Sequence, residues 1–196
     1  MRQGELLALR WSEVNLEKAT LTVLATLQQY PGQRPSREET TTTHSARAIA
    51  LPQTVIKLLA QHRKAQQNEQ ARLGPAWNAR DLVLLNTIGN PMHASSLRSR
   101  WWRALVRKAG LPYIRFHDLR HTAATLLLGR GVPVKVVSEM LGHANVSITL
   151  NMYGHVLPHM QQQAAQTMDA ILSGEGSLGS NEGSNPLKMD EKADGG

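Results

Sequence analysis

The sequence predicts an α+β fold that is mainly helical, a helical bundle with a small three-stranded antiparallel sheet. Three observations carry this prediction. Apolar residues recur at helical spacing through most of the chain. β-branched alternation is confined to three short stretches. Hydrophobic residues make up 41% of the 196 positions, enough for a core, and no internal repeat breaks the chain into units.

The elements follow in order. "GELLALRW" (4–11) is a short apolar-rich helix. "ATLTVLATLQQ" (19–29) reads as a first strand, "SARAIALP" (45–52) as a second and "LVLLN" (82–86) as a third. The polar segment 31–44, with Pro31, Gly32 and Pro35, is expected to be a mobile hairpin loop. A long amphipathic helix runs from Pro52 to Leu73, with Val55, Leu58, Leu59 and Ala65 on one side and Gly74-Pro75 ending it. A helix at about 94–109 buries Leu97, Trp101, Ala104 and Leu105 in this reading, and crowds Arg98, Arg100, Arg103, Arg107 and Lys108 along the rest. Further helices are expected at 117–130, 133–141, 146–153 and 158–172. Pro133 suits a helix start, Gly142 a helix stop and Asn145 the cap of the next helix. Residues 173–196 are rich in Gly and Ser, acidic, and too poor in apolar residues to offset the entropy of ordering. They read as a disordered tail behind a domain at 1–172.

Composition narrows the function. The chain carries a formal charge of +7, and the expected tail is acidic, so the body is more basic still. A basic domain of this kind most often meets nucleic acid or an acidic surface, the alternative being a basic surface with no specific partner. The chain has no cysteine, which excludes disulfides, thiolate metal sites and a thiol nucleophile. No apolar run approaches the ~20 residues that span a bilayer. The expected location is cytoplasmic, with no membrane partner.

Two stretches carry candidate chemistry. In "FHDLRHTAATLLLGRG" (116–131), helical spacing puts Leu119, Ala123, Leu126 and Leu127 on one face. His117, Arg120, His121 and Ala124 share the opposite arc. His117 and Arg120 are three apart and can reach one small anion together; the arginine fork matches phosphate oxygens two at a time. The alternatives are a solvated polar face or a metal site on His117 and His121. Asp118 stands where the zinc-protease pattern needs Glu. In "VPVKVVSEMLGHANVSITLNMYGH" (132–155), helix, turn and helix also describe a DNA-reading helix-turn-helix. No Arg or Lys lies between Gly142 and Tyr153, however, and Asn145 and Asn151 give thin means of contacting bases. The basic, aromatic-bearing helix at 95–110 suits contact with a phosphate backbone.

Together, "MRQGELLALRW" and "HDLRHTAATLLLGRGVPVKVVSEMLGHANVSITLNMYGHVLP", in that order, resemble the catalytic domain of the tyrosine recombinases, the phage-integrase family, over residues 1–172. The resemblance implies the DNA breaking-rejoining fold and site-specific DNA recombination, integration or excision, through a 3′-phosphotyrosine intermediate. Arg2 and Arg120 match the family's two phosphate-clamping arginines. His117 matches its first histidine, a proton acceptor or hydrogen-bond partner near the tyrosine. His143 matches the position of a further phosphate-holding group, and Tyr153 the nucleophile. His121 and His155 fall outside these positions and read as supporting or structural, and Asp118 as holding a helix start or a neighbouring cation. The implied partner is double-stranded DNA, gripped by a tetramer in the full-length enzyme and placing it with the nucleoid. The helix at 158–172 would pack on a neighbouring subunit. The family chemistry uses no cofactor and no metal.

The chain departs from the pattern twice. Alignment on "HSARAIALP" puts Thr41 where the family carries a general-acid lysine. Lys18 and Lys57 lie elsewhere, and Arg34 and Arg37 are poor acids. The chain also starts one residue before Arg2, ahead of which the family has the first catalytic-domain helices and an amino-terminal DNA-binding domain. The expectation is therefore an amino-terminally truncated recombinase, with a catalytically impaired DNA-binding remnant as the alternative.

Overall fold

A computed structural model gives the fold and describes residues 1–30, 33, 35–39, 46–78, 80–154 and 159–173. Two units are distinct, Met1–Leu157 and Pro158–Gly196.

The first unit opens with helix α1 (Gln3–Ala8), then a single 3-10 turn at Trp11–Glu13. Strands β1 (Val14–Asn15), β2 (Thr20–Val23) and β5 (Arg47–Ala50) form a three-stranded antiparallel sheet in the order β1-β2-β5. Its register pairs Val14 with Leu21, Leu21 with Ile49 and Val23 with Arg47. Strands β3 (Ala25–Gln28) and β4 (Ser36–Glu39) form a separate antiparallel pair. The expected single strand at 19–29 is thus two strands, divided at Leu24, which is exposed. Part of the expected loop at 31–44 is β4 (Ser36–Glu39), and of the rest residues 33 and 35 alone are described. The expected strand at 82–86 is absent as such. Leu82 and Leu85 make only isolated bridges, to Arg10 and Pro91, although Leu82 and Val83 are buried in the core as their apolar character demands.

Helix α2 (Gln53–Leu73) has the expected bounds but buries none of its residues fully. Its grip is polar as much as apolar. Gln66 accepts from the indole of Trp11 at 2.7 Å, and His62 Nε2 lies 2.7 Å from the Val83 carbonyl. Leu59 packs against the sheet cluster, while Leu58 stays mostly in solvent.

The helical stretch from Ala94 comprises α3 (Ala94–Ser96), a π-helical segment (Leu97–Trp102) and α4 (Arg103–Lys108). The wider π turn carries an extra residue per turn and shifts the register of everything after it. That is why the expected stripe is wrong here. Trp101 and Leu105 are more than half exposed, and Val106 is buried instead. Trp102 turns inward, its indole donating to the Ile114 carbonyl at 2.7 Å and its ring meeting Phe116 edge-on at 5.5 Å.

Helices α5 (Asp118–Gly129), α6 (Val134–Leu141) and α7 (Val146–Tyr153) complete the unit. Asn145 caps α7 as expected, accepting from the Ser147 amide at 2.9 Å. Ala124, Leu128, Val137, Leu141 and Tyr153 form one core cluster, and Leu9, Trp11, Val14, Leu21, Val23 and Val83 another. The buried side of α5 is Arg120, Ala124 and Leu128, with Leu119 and Leu126 facing solvent, the reverse of the expected faces. An arginine is inside because the fold supplies it with partners, as described next. In the second unit, α8 (His159–Leu172) is helical over nearly the expected span, and the expected tail lies outside the described residues apart from Ser173. No helix among the described residues is long and apolar enough to cross a membrane.

Candidate active site

The carboxyl-terminal end of α6 organises the site. A helix C-terminus leaves carbonyls without intrahelical partners and carries partial negative charge, so it attracts cations. Three arginines from three elements take three successive carbonyls. Arg47 Nε, from β5, donates to Met140 at 3.0 Å. Arg120 Nη2, from α5, donates to Leu141. Arg2 Nη2, from the start of α1, donates to Gly142 at 3.1 Å.

One carboxylate binds this group together. Glu5 is 3% exposed. Its Oε2 accepts from the Arg2 amide at 2.6 Å and from Arg47 Nη2 at 2.8 Å, and its Oε1 from Arg2 Nη1 at 3.3 Å and Arg47 Nη1 at 3.2 Å. Burial works against the charged carboxylate, but the hydrogen bonds from Arg47 and Arg2 outweigh it and hold the group below the usual carboxylate range. Burial, then the nearby Arg2, lowers the pKa of Arg120, and a guanidinium stays protonated in proteins. Among the described residues, three guanidinium groups therefore face one carboxylate, Glu5. Arg120 is 8% exposed, and its Nη1 is buried without a hydrogen-bond partner among the described residues. A buried donor left open at the centre of a cationic cluster is arranged to receive an anion.

Two glycines let these elements approach. Gly142 ends α6 in the left-handed region, φ +70°, and a Cβ there would meet Arg47 Nη1 at 2.6 Å. Gly4 brings α1 onto β3, where a Cβ would meet Thr26 Oγ1 at 2.3 Å.

His143 follows Gly142. Its Nδ1 pairs with Thr149 Oγ1 at 2.8 Å, leaving Nε2 as the ring nitrogen for another contact. Burial, then Arg120, Arg2 and Arg47, holds this imidazole below its ordinary value. Tyr153, at the end of α7, is 3% exposed, and its hydroxyl lies 2.7 Å from His121 Nδ1. Burial raises the phenol, and Arg120 opposes the rise. His117 is exposed and touches this arrangement through His121, the two rings meeting edge-on at 5.1 Å. Burial, then His121 and Arg120, lowers His117.

Of the residues singled out in the sequence, Arg2, Arg120, His143 and Tyr153 gather around the end of α6, with His117 at the edge. Asp118 does hold a helix start and a cation, accepting from the Arg115 amide at 2.8 Å and pairing with its guanidinium at 3.0 Å. Thr41, Arg34 and His155 lie outside the described residues. Arg37 is committed to Glu13 and the Ala8 carbonyl, and Lys18 and Lys57 are exposed. Arg98, Arg100, Arg103, Arg107 and Lys108 all lie exposed on the α3–α4 stretch, with Arg98 reaching Gln3 at 3.3 Å and Arg103 lying over the Tyr113 ring at 5.7 Å. Among the described residues no group of three or more His, Cys, Asp or Glu is placed to hold a metal.

Sequence reasoning missed Glu5 and Arg47, and read His121 as supporting or structural. Glu5 carried a signal, a carboxylate three residues after Arg2 at a helix start. Arg47 carried one too, a lone charge in an otherwise apolar strand. His121 sat on the polar arc of α5 with nothing to single it out from His117.

This constellation belongs to a recombinase-type fold. The sequence matches the Phage integrase family over residues 1–160, and the chain belongs to that family. A tyrosine recombinase XerC-like protein of Caldanaerobacter subterraneus subsp. tengcongensis is 37% identical over 182 residues, 87% of this chain and 46% of that one. The ICEBs1 integrase of Bacillus subtilis is 28% identical over 172 residues, 88% of this chain and 46% of the integrase. The chain thus spans about half the length of the curated relatives it matches. Its fold is that of the Tn1549 transposon integrase solved with circular intermediate DNA, with a TM-score of 0.71 at 23% identity over 86% of this chain and 56% of that one. XerA recombinase shares it with a TM-score of 0.62 at 23% identity over 83% and 53%.

Proposed function

We propose that the chain is the catalytic part of a site-specific DNA recombinase that cuts and rejoins strands through a 3′-phosphotyrosine bond on Tyr153. The observation that carries the reading is the open, buried Nη1 of Arg120 within the Arg2–Arg47–Arg120 cluster, beside a buried tyrosine hydroxyl. A scissile phosphodiester on this cluster would receive donors from Arg120, Arg2 and His143 Nε2. Those donors neutralise the charge that grows on its non-bridging oxygens as phosphorus becomes five-coordinate. Tyr153 Oη attacks, the P–O5′ bond breaks, and the covalent bond to tyrosine keeps the energy needed for rejoining. The exposed basic residues of the α3–α4 stretch supply contacts to the DNA backbone, in the manner of counterion-releasing binders. Residues 1–172 act as the catalytic domain in this reading, working as a tetramer on DNA.

Thr41 favours a second reading, a DNA-binding remnant that no longer cleaves. A threonine at the general-acid position leaves the departing O5′ without a positioned proton, a loss of about 10²–10⁴-fold in rate. Incubation with nicked duplex DNA, in wild type and Thr41→Lys, separates the two. The recombinase reading expects a denaturant-resistant protein–DNA adduct that Tyr153→Phe abolishes and Thr41→Lys speeds. Salt-dependent binding with no adduct in either protein would establish the remnant.

A further inference from the structure

The imidazole on the tyrosine hydroxyl is not the one at the family's first histidine position. His121 Nδ1 lies 2.7 Å from Tyr153 Oη, with ring centroids 6.0 Å apart. Among the described residues, His117 meets His121, ring to ring at 5.1 Å. Tyr153 is buried, so bulk water does not reach its phenol freely. Burial also disfavours the phenolate. A nucleophile in this position needs an acceptor within hydrogen-bond reach at the moment of attack. Among the described residues, His121 is the hydrogen-bond partner of that hydroxyl.

We propose that His121 is a catalytic residue that takes the phenolic proton of Tyr153 through Nδ1 as the hydroxyl attacks phosphorus, an inference that rests on the strand-cleavage reading above. In this step the Tyr153 Oη–P bond forms and the P–O5′ bond breaks, its electron pair remaining on O5′. The phenolic proton passes to His121 Nδ1, and O5′ takes a proton from water. On rejoining, a 5′-hydroxyl attacks the phosphotyrosine and gives up its proton to solvent as the O5′–P bond forms, the Oη–P bond breaks, and the His121 imidazolium returns its proton to the leaving phenolate. His117 meets His121 edge-on and acts through it, as a positioning residue. Among the described residues, the titratable groups that interact with His121 are His117 and Asp118 on its own helix, Tyr153 on α7 and His143 in the α6–α7 turn. Asp118 is engaged by Arg115 and Tyr153 carries the proton to be moved, which leaves His121 as the acceptor in contact with it.

The test uses diisopropyl fluorophosphate, a phosphorus electrophile from which an attacking tyrosine displaces fluoride. Labelling of the Tyr153 peptide is followed by mass spectrometry across pH. His121→Asn keeps a hydrogen-bonding group close to the Nδ1 position but accepts no proton, and His117→Asn is the control. Wild type is expected to label faster as pH rises and then to level off. His121→Asn is expected to label about 10²-fold more slowly at neutral pH and to lose that plateau, while His117→Asn keeps it. Full-rate labelling with unchanged pH dependence in His121→Asn would reduce His121 to a structural support and overturn the proposal. Faster labelling would make it a lock on the tyrosine and overturn the proposal equally. Loss of the plateau in His117→Asn alone would move the base to His117. A Tyr153-dependent DNA adduct formed at full rate by His121→Asn would overturn this inference and leave the strand-cleavage reading standing. Wild-type Tyr153 that neither labels nor forms an adduct would overturn both.

Discussion

Replacing Glu5 by Gln tests the arginine cluster at its weakest point. The Glu5 carboxylate is 3% exposed and accepts four hydrogen bonds from Arg2 and Arg47. Glutamine has the same shape, but its amide NH₂ would face a guanidinium or the Arg2 amide, donor against donor. The guanidinium groups of Arg2 and Arg47 at the end of α6 would lose the carboxylate they share. Breaking a buried ion pair by removing one partner costs about 3–5 kcal/mol. For a unit of this size each kcal/mol lowers Tm by roughly 2–4 °C, so a fall of about 6–20 °C is expected in thermal unfolding followed by circular dichroism. Sulfate is expected to bind the folded cluster in preference to the unfolded chain, and so to recover part of the loss in proportion to the logarithm of its concentration. The pH dependence has a definite sign. Because Glu5 is depressed in the folded state, its stabilisation is fully present above the unfolded value of about 4.3 and fades as pH falls through the folded one. Glu5→Gln therefore flattens the acid limb of the stability curve. A Tm within about 2 °C of wild type, or an unchanged acid limb, would refute the reasoning.

Three further outcomes follow from the same geometry. Gly142→Ala strains a φ of +70° and drives a methyl into the Arg47 guanidinium; it is expected to cost about 1–2 kcal/mol in chemical denaturation and to weaken sulfate binding. Sulfate affinity in wild type is expected to rise as pH falls through the depressed pKa of His143, because the imidazolium adds a cation; isothermal titration should find this rise lost in His143→Phe. Arg103→Gln with Arg107→Gln is expected to reduce the salt slope of DNA binding by about 1–2, at nearly one unit per phosphate contact, without changing stability.

Local signals made much of the molecule legible. Helices α2, α6 and α7 fall where apolar spacing, Pro133, Gly142 and Asn145 place them, because caps and stops are written in adjacent residues. The sheet was harder. β2 and β3 read as one strand because nothing in "ATLTVLATLQQ" announces that the chain changes sheets at Leu24. Leu82–Asn86 is apolar enough for a strand but makes isolated bridges instead, a decision taken by its neighbours. The π turn at Leu97–Trp102 rotates Trp102 and Val106 inward, and helical periodicity contains no warning of an inserted residue. The same limit governs the site. Arg2, Arg120, His143 and Tyr153 stood out by pattern, whereas Arg120 lies on the buried face of α5 because α6 supplies a carbonyl 21 residues away. Glu5 and Arg47 acquire meaning only from each other across 42 residues. His121 and His117 are indistinguishable by residue type; the packing of α7 selects the first.

The most direct measurement is capture of the covalent intermediate. The purified chain, wild type and Thr41→Lys, is incubated with a pool of nicked duplexes of randomised sequence, denatured, digested and read by mass spectrometry for nucleotide-bearing peptides. The expected result is a single modified site, a 3′-phosphotyrosine on Tyr153, absent from Tyr153→Phe. A nucleotide on any other residue, an adduct that survives Tyr153→Phe, or DNA bound by both proteins with no adduct in either would contradict strand cleavage by Tyr153.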